Sequence, residues 1–292
     1  ATTFLSALLL FSVQPLFAKM VLPVLGGSPS VWAVAMCFFQ GALLAGYCYA
    51  HLAIRYAPAY AAWIHLAIGI AALAFLPLGL PASWGEPPTG DPYFWQLGLF
   101  AAAVGLPFVA VAANAPMLQA WYAGTGDPGA KNPYFLYAAS NLGSLIALLG
   151  YPFLLEPLFG LKALAFAWTI GFVALQLAIA ACAFEAGLLK PSSYRGIEAV
   201  ATGIDPSPVT WAQRLAWTGL ALVPSALLTA FTTHVATDVA SAPLIWVIPL
   251  GLYLLSFTLA FAEGSRTVRI VERLFPMVII IAGGRVALGG SI

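Results

Sequence analysis

Ionisable side chains are so scarce in this chain that the few interrupting its apolar stretches are the residues with chemistry to offer. Lys19, Glu156 and Arg285 each fall inside or at the edge of a hydrophobic run. A charge there costs at least a few kcal/mol, so it calls for a partner or a purpose. His234 and Asp238 stand four residues apart, a spacing that on a helix puts both on one face, where a carboxylate can orient an imidazole. With Thr232, Thr233 and Thr237 they form the most polar patch outside the loops. Such a patch could line a cavity or bind a ligand, or it could be a hydrogen-bonded corner between helices.

Lys19 and Glu156 invite a pairing. If the first and fifth apolar runs cross a membrane in the same direction, both residues lie near the same ends of their helices and could meet at similar depth. The alternative is that Lys19 snorkels to the surface while Glu156 ends a helix before Pro157. Pro152 and Pro157 bracket Glu156; each removes a backbone donor, so the helix is expected to kink or break around the carboxylate, as helices do at many transporter sites. Pro15 and Pro23 flank Lys19 in the same manner. Gln14, Ser140, Asn141 and Ser144 read as polar helix-packing residues. In Ser140-Asn141-Leu142-Gly143-Ser144 the small side chains allow close helix approach, and the amide of Asn141 can bond across to a neighbour.

Other chemistry finds little support. No nucleophile with a base, phosphate-binding loop or usefully spaced acid pair is present, so no catalytic residue is assigned. Cys37 and Cys48 share a helix face, but a rise of 1.5 Å per residue sets them about 16 Å apart, too far to share one ion. Cys48, His51 and His65 make a cluster without a carboxylate, better read as buried or interfacial residues than as a ligand set. The run from Gly283 to Gly290 has neither the preceding strand nor the following acid of a dinucleotide loop. No metal and no cofactor is expected.

These residues must be positioned by membrane helices. Of the 292 residues 62% are hydrophobic and 7% charged, against roughly a quarter charged in a soluble domain. Eleven basic and ten acidic residues give a net charge of +1, which leaves no basic field for nucleic acid. The expected fold is all-α, a polytopic bundle of about nine membrane helices near 2–24, 31–55, 60–80, 94–122, 134–157, 162–184, 213–233, 243–262 and 274–292. It reads as one integral membrane domain over 1–292, with one longer polar loop at about 185–212 and a natural chain expected to continue beyond Ile292. The three cysteines fall in apolar stretches and are expected to be buried thiols rather than a disulfide framework. Arg55, Lys131, Lys190, Arg195, Arg214, Arg266, Arg269 and Arg273 all fall in loops on one side. By the positive-inside tendency that side, and the N-terminus with it, is cytoplasmic.

Several stretches resemble the membrane portion of the bacterial spermidine synthase-like integral membrane proteins. They are Phe4-Leu5-Ser6-Ala7 through Gln14-Pro15-Leu16, Gly26-Gly27-Ser28-Pro29-Ser30-Val31-Trp32, Phe39-Gln40 and Gly46-Tyr47-Cys48-Tyr49-Ala50-His51. Ser140 to Ser144, Tyr151-Pro152, Glu156-Pro157, Thr233 to Asp238 and Trp246-Val247-Ile248-Pro249-Leu250 complete the set. The resemblance implies a multipass bacterial inner-membrane protein whose family carries its aminopropyltransferase chemistry in a soluble domain that this chain lacks. Three readings are open. One is a membrane anchor or accessory subunit, surrounded by lipid and by other membrane subunits. Another is a transporter of a small cationic solute such as a polyamine. The third is the membrane part of a spermidine synthase-like enzyme, for which the chain itself holds no catalytic motif.

Overall fold

Long apolar runs fold as helices here because a backbone in hydrocarbon must satisfy its own polar groups. The computed structural model describes residues 1–88, 90–125, 127–131, 134–189, 210–234, 247–260, 269–270, 273–278 and 280–281. Its helices are α1 (Thr2–Leu25), α2 (Pro29–Tyr56), α3 (Ala61–Ala72), α4 (Tyr93–Phe100), α5 (Leu106–Ala123), α6 (Tyr134–Gly150), α7 (Glu156–Leu158), α8 (Leu161–Glu185), α9 (Trp211–His234) and α10 (Val247–Ala260). No strand occurs among the described residues. A π-turn at Ala101–Gly105 fuses α4 to α5, and another at Tyr151–Leu155 fuses α6 to α7.

Seven helical stretches among the described residues are long and apolar enough to cross a membrane: Thr2–Leu25, Ser30–Tyr56, Pro58–Phe75, Tyr93–Ala123, Phe135–Leu158, Leu161–Glu185 and Trp211–Phe231. The chain is a helical membrane protein, and its first seven expected spans coincide with these. The expected span at 243–262 is represented by α10, 14 residues long, and most of 274–292 lies outside the described residues. The third span stops short of the expected residue 80. Its helical turns end at Phe75, and Leu76 is extended at φ −112° and ψ 148°, because the ring of Pro77 disfavours helical geometry in the residue before it.

Helix ends follow the local sequence. Ser28 caps α2, its Oγ accepting from the Val31 N–H at 3.4 Å, with Pro29 in the first turn, the arrangement that supplies a partner to one orphan amide and loses none to proline. α1 ends at Gly26, whose φ of 74° is accessible to glycine at little cost.

α1 is the centre of the bundle, packed on α5, α6 and α8, while α2 lies on α4 and α5, and α3 on α5 and α8. Small residues set these approaches. A Cβ on Gly143 would collide with the carbonyl of Phe4, and one on Gly46 would stand 2.7 Å from the Cβ of Ala112. Between the helices lies one continuous apolar core around Phe17, Phe100, Phe108 and Phe172, with Phe17 edge-on to Phe100 at 5.0 Å between ring centres. α9 stands apart from this core: its main contact is with α10, and its apolar side chains, Trp211, Leu220 and Phe231 among them, are exposed.

Candidate functional site

Two polar groups interrupt the apolar interior. The first joins Lys19 and Glu156. Lys19 sits in the last third of α1, and Glu156 is the first residue of α7, directly after the π-turn. The Lys19 ammonium donates to Glu156 Oε1, and the two side chains are 29% and 25% exposed. Of the two readings open for these residues, the pairing is the one present, at the ends of two parallel spans. The expected break at Pro152 takes another form. The helix continues through the proline by widening into a π-turn and ends at Leu158, before extended Phe159. A π-turn admits one extra residue per turn and so rotates the residues beyond it about the helix axis; the first of these is Glu156, whose carboxylate reaches α1. Glu156 Oε2 and the Tyr151 hydroxyl are buried without a hydrogen-bond partner among the described residues.

The second group lies deeper and nearer the opposite ends of the helices. His65 on α3 and Asn114 on α5 are fully buried, and His65 Nε2 meets Asn114 Oδ1 at 2.6 Å. Tyr49 on α2 reaches His65 Nδ1 from the other side at 3.4 Å. With Nε2–H donating to the amide oxygen and Nδ1 accepting from the phenol, a neutral imidazole satisfies both contacts. Trp121, two turns beyond Asn114 on α5, turns its ring edgewise to His65 with centroids 6.2 Å apart. The Gln176 side chain of α8 packs directly on Gly69, one turn from His65 on α3.

The remaining expected residues are dispersed. Gln14 donates to Leu10 O at 3.4 Å, and Ser144 to Ser140 O at 3.1 Å; both bonds stay within one helix rather than crossing between helices. Ser144 is nevertheless buried beside Gly143 where α6 meets α1, and Asn141 is half-buried on the same helix. His234 ends α9, but its side chain, like Asp238 and Arg285, lies outside the described residues. The cysteines correct the reading of the sequence: Cys37 and Cys48 are exposed and Cys182 is intermediate. An apolar run marks a helix as membrane-spanning without saying which of its faces meets lipid, and Cys37 and Cys48 lie on an outward face of α2. Cys48, His51 and His65 do not converge, because Cys48 and His51 face outward while His65 is at 0% exposure.

Gln96 was not singled out by its sequence context. It is fully buried and donates through Nε2 to Val31 O at 2.8 Å, tying α4 to the first turn of α2. A lone amide in an apolar run was the available signal, since such groups must find partners in hydrocarbon. No family model, curated protein or solved structure matches this chain.

Proposed function

We propose that the chain is an accessory or anchoring module of the bacterial inner membrane, with its N-terminus cytoplasmic, whose work is to pack helices and hold a partner in place. The Lys19–Glu156 pair carries this reading. Two opposite charges spent on each other tie α1 to α7 and offer little to a passing solute. The exposed apolar length of α9, a full span resting mainly on α10, supports it further. In the spermidine synthase-like family that the sequence resembles, the natural object to hold is a soluble aminopropyltransferase-like domain.

Transport of a small cation, a polyamine for instance, is the second reading. Its support is the second carboxylate oxygen of Glu156, buried beside the pair with no partner among the described residues, where an entering ammonium group could displace Lys19.

Reconstitution separates the two. The protein extracted from its native membrane in mild detergent should migrate as an assembly heavier than one chain, and proteoliposomes holding it should take up labelled putrescine or spermidine no faster than empty ones. Uptake that disappears in Glu156→Gln would replace the accessory role with transport.

A further inference from the structure

The His65 group holds more hydrogen-bonding capacity than its own members use. Among the described residues Asn114 Nδ2, Trp121 Nε1 and both amide atoms of Gln176 are buried and unpartnered. Exchanging the amide atoms of Asn114 leaves the count unchanged, because one of the two would still face no partner. Away from water, each such group forgoes the hydrogen bonds that water would give it, yet they gather in one region, where α2, α3, α5 and α8 converge. Trp121 and Asn114 lie two turns apart along α5, and the ring of His65 fits between them. Gln176 joins one turn further along α3, against Gly69. At 1.5 Å per residue, Tyr49 and His65 sit about 10 Å and Asn114 and Gln176 about 14 Å from the same ends of their spans, so the group runs inward from one membrane face.

Elsewhere among the described residues three buried side-chain atoms lack a partner, Gln96 Oε1, the Tyr151 hydroxyl and Glu156 Oε2, while other buried polar groups are satisfied. The Trp168 indole, equally buried, donates to Leu9 O at 3.0 Å, and the Ser6 hydroxyl donates to Val111 O at 3.3 Å. Four of the seven orphaned atoms among the described residues thus belong to the His65 group.

We infer that this group is a hydration site inside the membrane: one or more internal waters bind between Trp121, His65, Asn114 and Gln176 and complete their hydrogen bonds. Water is the ligand class that fits. The unpartnered set contains donors and acceptors without a formal charge among them, and a buried water commonly makes about three such bonds. The half-buried Tyr49 closes the group on the α2 side and bonds the imidazole.

Hydroxyl-radical footprinting by X-ray radiolysis of the whole chain in lipid nanodiscs tests this, because radicals made from bound water label side chains that bulk water never reaches. Trp168 supplies the dry reference in the same molecule. Oxidation of His65 and Trp121 several-fold faster than that of Trp168, falling toward the Trp168 rate in Asn114→Leu and Gln176→Met, is the expected result. His65 and Trp121 labelled no faster than Trp168 in the unaltered protein would overturn the inference, as would fast labelling that neither substitution slows.

Discussion

Lys19 and Glu156, 137 residues apart in the chain, form the ion pair that joins α1 to the end of the α6–α7 span. Each is about one-quarter exposed, so the pair lies between a solvated surface bridge and a fully buried one. Removing one partner leaves the other charge at the edge of the hydrocarbon, with an expected loss of about 1–3 kcal/mol. Glu156→Gln and Lys19→Met should each lower stability by that order in unfolding from mixed micelles. The double variant should recover most of the loss, since it leaves no stranded charge; losses that simply add would mean the two residues do not act as a pair.

Glycine spacing makes the second prediction. A Cβ on Gly143 runs into the backbone carbonyl of Phe4, and backbone cannot swing aside as a side chain can, whereas a Cβ on Gly41 meets nothing within 4 Å. Gly143→Ala should therefore separate α1 from α6 and cost about 1–3 kcal/mol, the usual range for overpacking. Gly41→Ala, in mid-helix, should be neutral or stabilising by up to about 1 kcal/mol. Thermal unfolding in one detergent, followed by loss of the monodisperse elution peak, ranks the two.

Topology gives a third. The segments around Glu86 and Thr125 flank one span, Tyr93–Ala123, and so belong to opposite membrane faces. In a background where Cys37, Cys48 and Cys182 are alanine, an impermeant maleimide applied to intact cells should label Glu86→Cys. Thr125→Cys should react only after permeabilisation. Labelling in the reverse order would invert the proposed cytoplasmic N-terminus, and equal labelling of both would remove the intervening span.

How much of this could be read beforehand depended on the kind of signal. Helices in lipid announce themselves by length and apolarity, so the first seven spans stood out without any partner information. Lys19 and Glu156 stood out for the same reason in reverse, as charges where charges are expensive, each flanked by prolines. The His65 group did not, because its members are single neutral polar residues scattered over four spans. Nothing in a single sequence says that position 65 faces position 114 rather than lipid, and the outward-facing cysteines were misjudged for want of the same information. The π-turn at Tyr151–Leu155 was half-legible: Pro152 foretold a disturbance of the ladder, but whether a helix breaks, kinks or widens depends on the packing around it.

The His65–Asn114 hydrogen bond allows a sharper test of how this interior is built. Both side chains are at 0% exposure and share a bond of 2.6 Å. Removing one leaves the other buried with a lost partner, which costs the desolvation of that group, roughly 1–3 kcal/mol, whereas removing both with apolar groups of similar shape can be nearly neutral. His65→Phe alone and Asn114→Leu alone should each destabilise the protein in mixed micelles. The double variant should be less damaged than the sum of the two by at least about 0.5 kcal/mol, the lower limit for residues in contact. Because Tyr49 also bonds His65, Tyr49→Phe in the His65→Phe background should add little, while the same change in the unaltered protein removes a working bond. Additive losses throughout would show that the three residues occupy the same region without forming one network.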